Sequence, residues 1–241
     1  MKRTIALLLV LVLAFGLLGC GKEEKDISGK VTPATEAAPA VTEAVPETTE
    51  TPVEDRPVTL GRMEGGVYTN EYIGIGCALD SDWTFYTAEE LQELPAQTGE
   101  LLQDTEYADA ALNQIADMFA ENSVNGSNIN IQYTKLDMQV RLIYSAMDYE
   151  SFADMIMSQS DSMIQAYSQS GFENAAMEKV TVNYLGQERV AIRTTATIAG
   201  LPCYMLQLFE HDLGQYYAVI TLTSIMEDTT QAMADLFYAL N

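Results

Sequence analysis

His211 is the residue whose type best suits catalysis, and it is the only histidine of the chain. It lies in Glu210-His211-Asp212, where the surrounding pattern predicts a hairpin turn. A Ser-His-Asp site needs the imidazole held by a carboxylate and facing a nucleophile, in a place that excludes water. Because an exposed turn excludes water poorly, the sequence favours a non-catalytic histidine. Zinc binding is disfavoured too, since His211, Cys77 and Cys203 lack the paired spacing of zinc ligands.

Two pairs of acidic residues carry oxygen atoms that suit a hard cation. Asp80 with Asp82, and Glu227 with Asp228, offer carboxylates at short spacing. Neither pair matches a calcium-binding loop, and turn formation or helix capping explains both. A carboxylate pair for glycoside hydrolysis is expected beside several sugar-stacking aromatic residues, whereas Trp83 is the only tryptophan and is expected in the core. The sequence therefore predicts no catalytic residue set, no metal and no cofactor.

Cys77 and Cys203 both fall in or beside predicted strands. A disulfide between them would close a loop of more than a hundred residues, worth about 4–5 kcal/mol on the chain-entropy model. Two buried thiols that act as small apolar residues are the alternative. Both interpretations stay open from the sequence.

Aromatic residues and methionines are frequent in the middle of the chain. The whole chain has 13 tyrosines and 12 methionines. Those at Tyr144, Tyr149, Met155, Met157 and Met163 form either an adaptable binding surface or helix residues at core spacing. The core interpretation is favoured.

The first 20 residues have the pattern of an export signal. A short basic start precedes an apolar run over residues 5–18, which is short for a membrane span and suits a signal peptide. The run ends in Leu17-Leu18-Gly19-Cys20, which resembles the lipobox of bacterial lipoproteins. We therefore expect the mature chain to begin at a lipid-modified Cys20 that anchors it in the bilayer, on the extracytoplasmic face of a bacterial cell membrane.

Residues 21–64 are rich in threonine, proline, glutamate and alanine and contain no aromatic residue. Such a segment cannot bury enough apolar surface to offset its chain entropy, so it is expected to be a disordered tether. Residues 65–241 have the length of a single domain with one core.

The charge is strongly acidic. The chain carries 35 acidic and 12 basic residues, of which residues 1–60 hold 9 and 6, so the remainder has 26 against 6. Such a field repels phosphate backbones, which excludes nucleic acid as a partner. Solubility outside the cell explains the charge most simply, and attraction of cations or of a basic partner is the alternative.

The first half of the domain predicts strands followed by helices. Residues 72–79 and 83–86 are expected as strands. Thr87 and Glu90 form a capping box that starts a helix expected to end near Pro95. A second helix is predicted over residues 99–122, because its apolar residues recur at spacings of three and four; they are Ala108, Leu112, Ile115 and Phe119.

The middle of the domain predicts one strand and one helix. Residues 128–136 alternate apolar and polar types, which places one set inward and the other outward. Ile129, Ile131 and Tyr133 are expected inward, and Asn130, Gln132 and Thr134 outward. A helix over residues 149–170 has Asp148 as its N-cap and Gly171 as its stop.

Four consecutive strands are predicted near the end, over residues 180–185, 187–198, 203–210 and 215–224. The last two are apolar on both faces, which is typical of strands in the middle of a sheet. A closing helix, capped by Asp228 or Thr229, is expected to pack Met233, Leu236, Phe237 and Leu240 onto that sheet. The fold class predicted is α+β, a mainly antiparallel sheet flanked by helices in an α/β/α sandwich.

Two segments resemble the PsbP-like domains. The first runs from Tyr68 to Ile75 and continues through Asp80-Ser81-Asp82-Trp83. The second, near the end of the chain, comprises the Gly200-Leu201-Pro202-Cys203-Tyr204 hairpin, the strand from Tyr216 to Thr223 and the short terminal helix. That family includes exported bacterial lipoproteins of the DcrB type. The resemblance spans most of residues 66–241 and implies a PsbP-like sandwich that binds partners without a shared catalytic residue set.

Two function classes follow. The favoured one is a membrane-anchored binding or scaffolding lipoprotein, not an enzyme, which holds a protein or a small molecule. The alternative is a secreted hydrolase with a carboxylate-based site, which would need several acidic residues converging in a deep cleft.

Overall fold

The computed structural model describes residues 57–102 and 111–240. The predicted signal peptide 1–20, the predicted lipidation site Cys20 and most of the predicted tether 21–64 lie outside this described part. Within it, no helix is both long and apolar enough to cross a membrane.

Eleven strands form two sheets in the described part, and every neighbouring pair is antiparallel. A small sheet has the order β1-β2-β3-β11, and a large one the order β4-β5-β6-β10-β9-β8-β7. The strands are β1 (Arg62–Glu64), β2 (Val67–Asn70), β3 (Ile75–Ala78), β4 (Trp83–Phe85), β5 (Gln114–Asn122), β6 (Asn128–Lys135), β7 (Phe172–Tyr184), β8 (Gln187–Ile198), β9 (Leu201–Leu213), β10 (Tyr216–Ile225) and β11 (Phe237–Ala239).

The four consecutive strands near the end of the chain are confirmed as β7–β10. They are joined by tight turns in which Gly186, Gly200 and Gly214 adopt positive φ, a conformation that costs glycine least. β10 is the central strand of the large sheet and β9 lies beside it, as their two apolar faces predicted.

Five helices are described: α1 (Ala88–Leu101), α2 (Met138–Ser145), α3 (Tyr149–Met157), α4 (Ser160–Gln169) and α5 (Thr230–Ala234). The capping box at the start of α1 is confirmed, with the Thr87 hydroxyl accepting from the Glu90 amide and the Glu90 carboxylate accepting from the Thr87 amide. The helix does not end near Pro95 but continues through it to Leu101.

The helix predicted over residues 149–170 is two helices, α3 and α4, that meet at Ser158 and Gln159. Asp148 caps α3 as predicted, since its Oδ1 accepts from the Ser151 amide at 2.7 Å. The chain turns after α4 at Gly171, which has positive φ.

The helix predicted over residues 99–122 is wrong for its second half, because residues 114–122 form β5. Ile115 and Phe119 stand four residues apart, which fits a helical stripe. They instead lie on a strand with a β-bulge, where the register with β6 shifts between Ala116 and Met118. Of the other stripe residues, Ala108 lies outside the described part.

The large sheet is covered differently on its two faces. α2, α3 and α4 pack over β7, β8 and β9, and α1 packs on β5. A core cluster on this side joins Tyr144, Phe152 and Tyr167 to Phe209 and Tyr217. The other face packs against the small sheet and α5, with Tyr68, Cys77 and Phe237 meeting Ile131, Leu208 and Ile220.

The small sheet was not predicted as a unit. β1 starts at Arg62, inside the segment assigned to the tether. The predicted closing helix forms only over Thr230–Ala234, as α5, and β11 replaces its end. Met233 and Phe237 are buried in the core as expected, but Phe237 reaches it from a strand. The α+β class with antiparallel sheets is confirmed.

Candidate functional site

His211 does not lie in a turn. It is inside β9, 6% exposed, with its ring between those of Tyr149 and Phe152 at centroid distances of 4.7 and 4.9 Å. Burial lowers the pKa of His211, although the neighbouring carboxylates of Glu210 and Asp212 act in the opposite direction. The imidazole is thus a packed aromatic residue under α3, and the exposed turn from which the non-catalytic interpretation was argued is wrong.

Glu210 is the most engaged carboxylate near this histidine. Its Oε1 accepts from Arg189 Nη2 at 2.6 Å and its Oε2 accepts from the Tyr149 hydroxyl at 2.8 Å. The Arg189 guanidinium also lies 3.6 Å from the centroid of the Tyr149 ring. These three residues fasten the start of α3 to β8 and β9, a structural use that occupies both carboxylate oxygens.

Asp117 is a second buried carboxylate, and it joins the two sheets. The bulge of β5 directs its side chain toward the small sheet, where Oδ1 accepts from the Gly61 amide at 2.7 Å. Oδ2 accepts from the Tyr68 hydroxyl at 2.6 Å and from Asn70 Nδ2 at 2.7 Å. Burial raises the pKa of Asp117, and these hydrogen bonds oppose the rise. Both oxygens are again used structurally.

Cys77 and Cys203 are free buried thiols. Cys77 lies in the core between the two sheets and Cys203 in the core under the helices, on opposite faces of the large sheet. The structure therefore contains no bridge between them, and the alternative of two buried thiols applies. Burial raises the pKa of each thiol to about 12.

The acidic pairs have turn and cap roles. Asp80 Oδ1 accepts from the Asp82 amide at 3.0 Å, and Asp228 Oδ1 accepts from the Thr230 amide at 3.1 Å and its hydroxyl at 2.7 Å. Across residues 57–102 and 111–240, no group of three or more His, Cys, Asp or Glu could hold a metal ion.

The core interpretation of the aromatic residues and methionines is confirmed for four of the five. Tyr144 and Met163 are buried, and Met155 and Met157 are partly buried against the same cluster. Trp83 is likewise half-buried, against the core between the sheets.

The unexpected feature is a set of buried, uncharged polar side chains on the helix-facing side of the large sheet, which we call the polar strip. It crosses four adjacent strands, β6, β10, β9 and β8. Its members are Asn128, Asn130, Gln132, Thr194, Gln207, Thr221 and Thr223, and each is buried.

Strand register places these residues side by side. Asn130, Thr221 and Gln207 are direct partners in one row across β6, β10 and β9. In the next row Asn128 pairs with Thr223, and Thr194 follows beyond Met205. Directly opposite residues have Cβ atoms about 4.5–5.5 Å apart, so the strip is continuous from β6 to β9. Thr194 lies diagonally to Gln207, at about 7–8 Å.

Six side-chain atoms of the polar strip have no hydrogen-bond partner within the described part of the chain. They are Asn128 Nδ2, Asn130 Oδ1, Gln132 Oε1, and the hydroxyls of Thr194, Thr221 and Thr223. Within the strip, Asn130 Nδ2 donates to Asn128 Oδ1 at 3.4 Å. A buried polar atom left unpaired costs about 1–3 kcal/mol, so a molecule that pairs with these atoms would stabilise the fold.

Buried polar groups in native proteins are nearly always paired, and exceptions concentrate at functional sites. Chemically, the polar strip can donate and accept hydrogen bonds. Its residue types include no acid, base or thiol, so it is suited to binding.

Sequence reasoning missed the polar strip because it placed Asn130 and Gln132 outward. A signal was present: the strand over residues 215–224 reads as apolar on both faces, yet it carries Thr221 and Thr223 on one of them. A mid-sheet strand with two threonines on one face indicates that its neighbours on that face are also buried and polar.

Comparison with known proteins gave no matching family model and no matching curated protein.

Proposed function

We propose that this chain is a lipid-anchored, extracytoplasmic binding protein that holds a small polar molecule against the polar strip, and that it is not an enzyme. The anchor and tether rest on the lipobox-like Leu17-Leu18-Gly19-Cys20 and on the composition of residues 21–64. The binding role rests on the six unpaired atoms of the polar strip.

The unpaired atoms are the main support for the proposal, because each loses its hydrogen bonds to water on burial and forms none within the described part of the chain. The six strip atoms touch neither solvent nor a partner in the described part. α1 packs on β5, and α2, α3 and α4 pack on β7 to β9, so the β6 and β10 part of the strip lies between two zones of helix contact and its β9 and β8 part lies on strands that the helices cover. A small polar molecule held at the strip would form hydrogen bonds that the ligand-free chain lacks.

The carboxylate-based hydrolase is less well supported. It needs acidic groups that converge with free oxygens on one cleft, whereas both oxygens of Asp117 and both of Glu210 are occupied by hydrogen bonds. The engaged carboxylates favour binding over hydrolysis.

We also propose that the domain has a PsbP-like sandwich. In support, an antiparallel sheet carries helices on one face, and the late hairpin at Gly200 joins two long strands. On its other face the small sheet shares the coverage with α5.

Binding is tested with the full-length chain, purified in a detergent that lacks a sugar headgroup. Small-molecule extracts of the cells that make the protein are fractionated, and each fraction is assayed for a shift in the melting temperature. We expect at least one fraction to raise it for the wild type and to raise it much less for Thr221→Val. The control is Thr195→Val, a partly exposed position that pairs with Tyr204 and faces away from the strip.

An equal shift in wild type and Thr221→Val, or no shift with any fraction, contradicts binding at the strip. Mass spectrometry of the natural protein tests the anchor: an acylated N-terminal Cys20 supports it, and an intact leader overturns it.

A further inference from the structure

We infer that the molecule bound at the polar strip is neutral and rich in hydroxyl groups, a polyol or small sugar, and this inference rests on the proposed binding function. It follows from three properties of the strip: its charge, its mixture of donors and acceptors, and its dimensions.

The interior of the polar strip is uncharged. The row through Asn130 runs from Phe119 to Ile192 before it reaches Lys179 on β7. The row through Asn128 has Glu121, on β5, as its charged end. Lys179 is already paired with Glu150 and Asp154. An ionised ligand over the interior of the strip would therefore be buried without a counter-charge from it, which is costly.

The unpaired atoms are mixed in type. One is an amide nitrogen that donates, two are amide oxygens that accept, and three are hydroxyls that do both. A ligand that carries only carbonyl oxygens would leave the two amide oxygens unpaired. A ligand hydroxyl both donates and accepts, so several hydroxyls on a small frame satisfy this mixture.

The footprint also suits a small sugar. Neighbouring strands lie about 4.8 Å apart and successive same-face residues roughly 7 Å apart. The rows through Asn130 and Asn128 span about 14 Å across four strands and about 7 Å along them, an area of one or two sugar rings. Gln132 alone extends the strip by one further row, along β6. Phe119 lies at the β5 end of the Asn130 row, buried completely, and provides an apolar boundary there.

The test separates the molecules of the same cell extract by their charge. The extract is passed through anion-exchange and cation-exchange resins, and the flow-through of both is treated with periodate, which cleaves vicinal diols. Defined probes run in parallel by calorimetry: glucose, myo-inositol and N-acetylglucosamine against glucose 6-phosphate, inositol monophosphate and glucosamine. We expect the stabilising activity in the neutral flow-through, its loss after periodate, and at least a tenfold preference for a neutral probe over its charged counterpart.

Thr194→Val should weaken binding of that neutral probe at least tenfold, and Thr195→Val, its neighbour on the opposite face, should leave it within twofold. Activity retained on either resin, or unaffected by periodate, overturns the inference while binding at the strip stands. Binding of none of the neutral probes also overturns it. No activity in any fraction overturns both, and would mean that the strip holds nothing.

Discussion

Replacing Thr221 by valine should make the ligand-free protein more stable, although it removes a polar group from a site that we propose to be functional. Thr221 lies on the central strand β10, is completely buried, and its hydroxyl has no partner within the described part of the chain. Valine has nearly the same shape and leaves no polar atom unpaired. The penalty of an unpaired buried hydroxyl is about 1–3 kcal/mol, and we expect the variant to recover about 1 kcal/mol.

The measurement is urea-induced unfolding of the full-length chain, refolded from denaturant beforehand so that any bound small molecule is lost. The midpoint should rise while the slope m stays constant, since the surface exposed on unfolding is unchanged. For a domain of this size, 1 kcal/mol corresponds to a rise of about 2–4 °C in melting temperature. The control Thr195→Val, partly exposed on the same sheet, should change stability by less than about 0.5 kcal/mol.

The opposite sign would refute the reasoning. If Thr221→Val destabilises the ligand-free protein by about 1 kcal/mol or more, its hydroxyl is hydrogen-bonded in the free state. The polar strip would then be an ordinary satisfied part of the core, and its energetic cost, from which the binding proposal is argued, would vanish.

Other perturbations test the remaining polar contacts. Asp117→Ala should lower the free energy of unfolding by about 3 kcal/mol, because it leaves the buried donors of Tyr68 and Asn70 without an acceptor. Urea unfolding measures this loss, and a loss below about 1 kcal/mol would contradict the role of Asp117 as a link between the two sheets. The pKa of Asp117 is raised in the folded protein, so its contribution to the free energy of unfolding is largest at low pH. That contribution declines as the pH rises from the ordinary aspartate pKa through the raised pKa of the folded state. Denaturation at several pH values should show this dependence for the wild type and not for Asp117→Ala. Glu210→Ala should lower the free energy of unfolding by about 2 kcal/mol, because it leaves the half-buried Arg189 without its carboxylate. Exposed Glu188→Ala should lower it by less than about 0.5 kcal/mol. Equal losses would argue against the role of Glu210 in holding α3 to β8 and β9. Cys77 and Cys203 should resist iodoacetamide in the native protein, because burial and a pKa of about 12 suppress the thiolate. Both should react once the protein is denatured without a reducing agent. Rapid labelling of the native protein would show that these thiols are accessible.

The parts of the fold that were predictable are those in which local pattern and tertiary environment agree. The strands β8, β9 and β10 have apolar or alternating runs closed by glycine turns, and their bounds differ from the prediction by a few residues at most. The start of α1 was predictable because Thr87 and Glu90 complete their capping interaction within four residues.

The errors arise where distant chain segments decide the environment. Residues 114–122 are buried on both faces, so no alternation distinguishes the strand from a helix, and the spacing of Ile115 and Phe119 favoured the wrong period. The polar strip was lost for a related reason. Asn130 and Gln132 occupy the positions that would face water in a sheet with one open side, and nothing local to that strand indicates the layer above them.

His211 shows a third kind of error. The residues Glu210-His211-Asp212 are polar enough to resemble a turn, yet β9 continues through them to Leu213. The strand is sustained by packing of the imidazole under Phe152 and by the bond of Glu210 to Arg189, contacts between residues tens of positions apart.

The pairing of β3 with β11 has a consequence for how the molecule is made. Phe237 lies opposite Cys77 and Tyr238 opposite Gly76, and a Cβ atom at Gly76 would stand 2.3 Å from the Tyr238 ring. β3 can pair at once with β2, but some 160 further residues must be synthesised before its other edge pairs with β11. The small sheet is therefore completed last. Until then β3 presents a bare edge, and a nascent chain in that condition is the form most exposed to proteases and to pairing with its own copies.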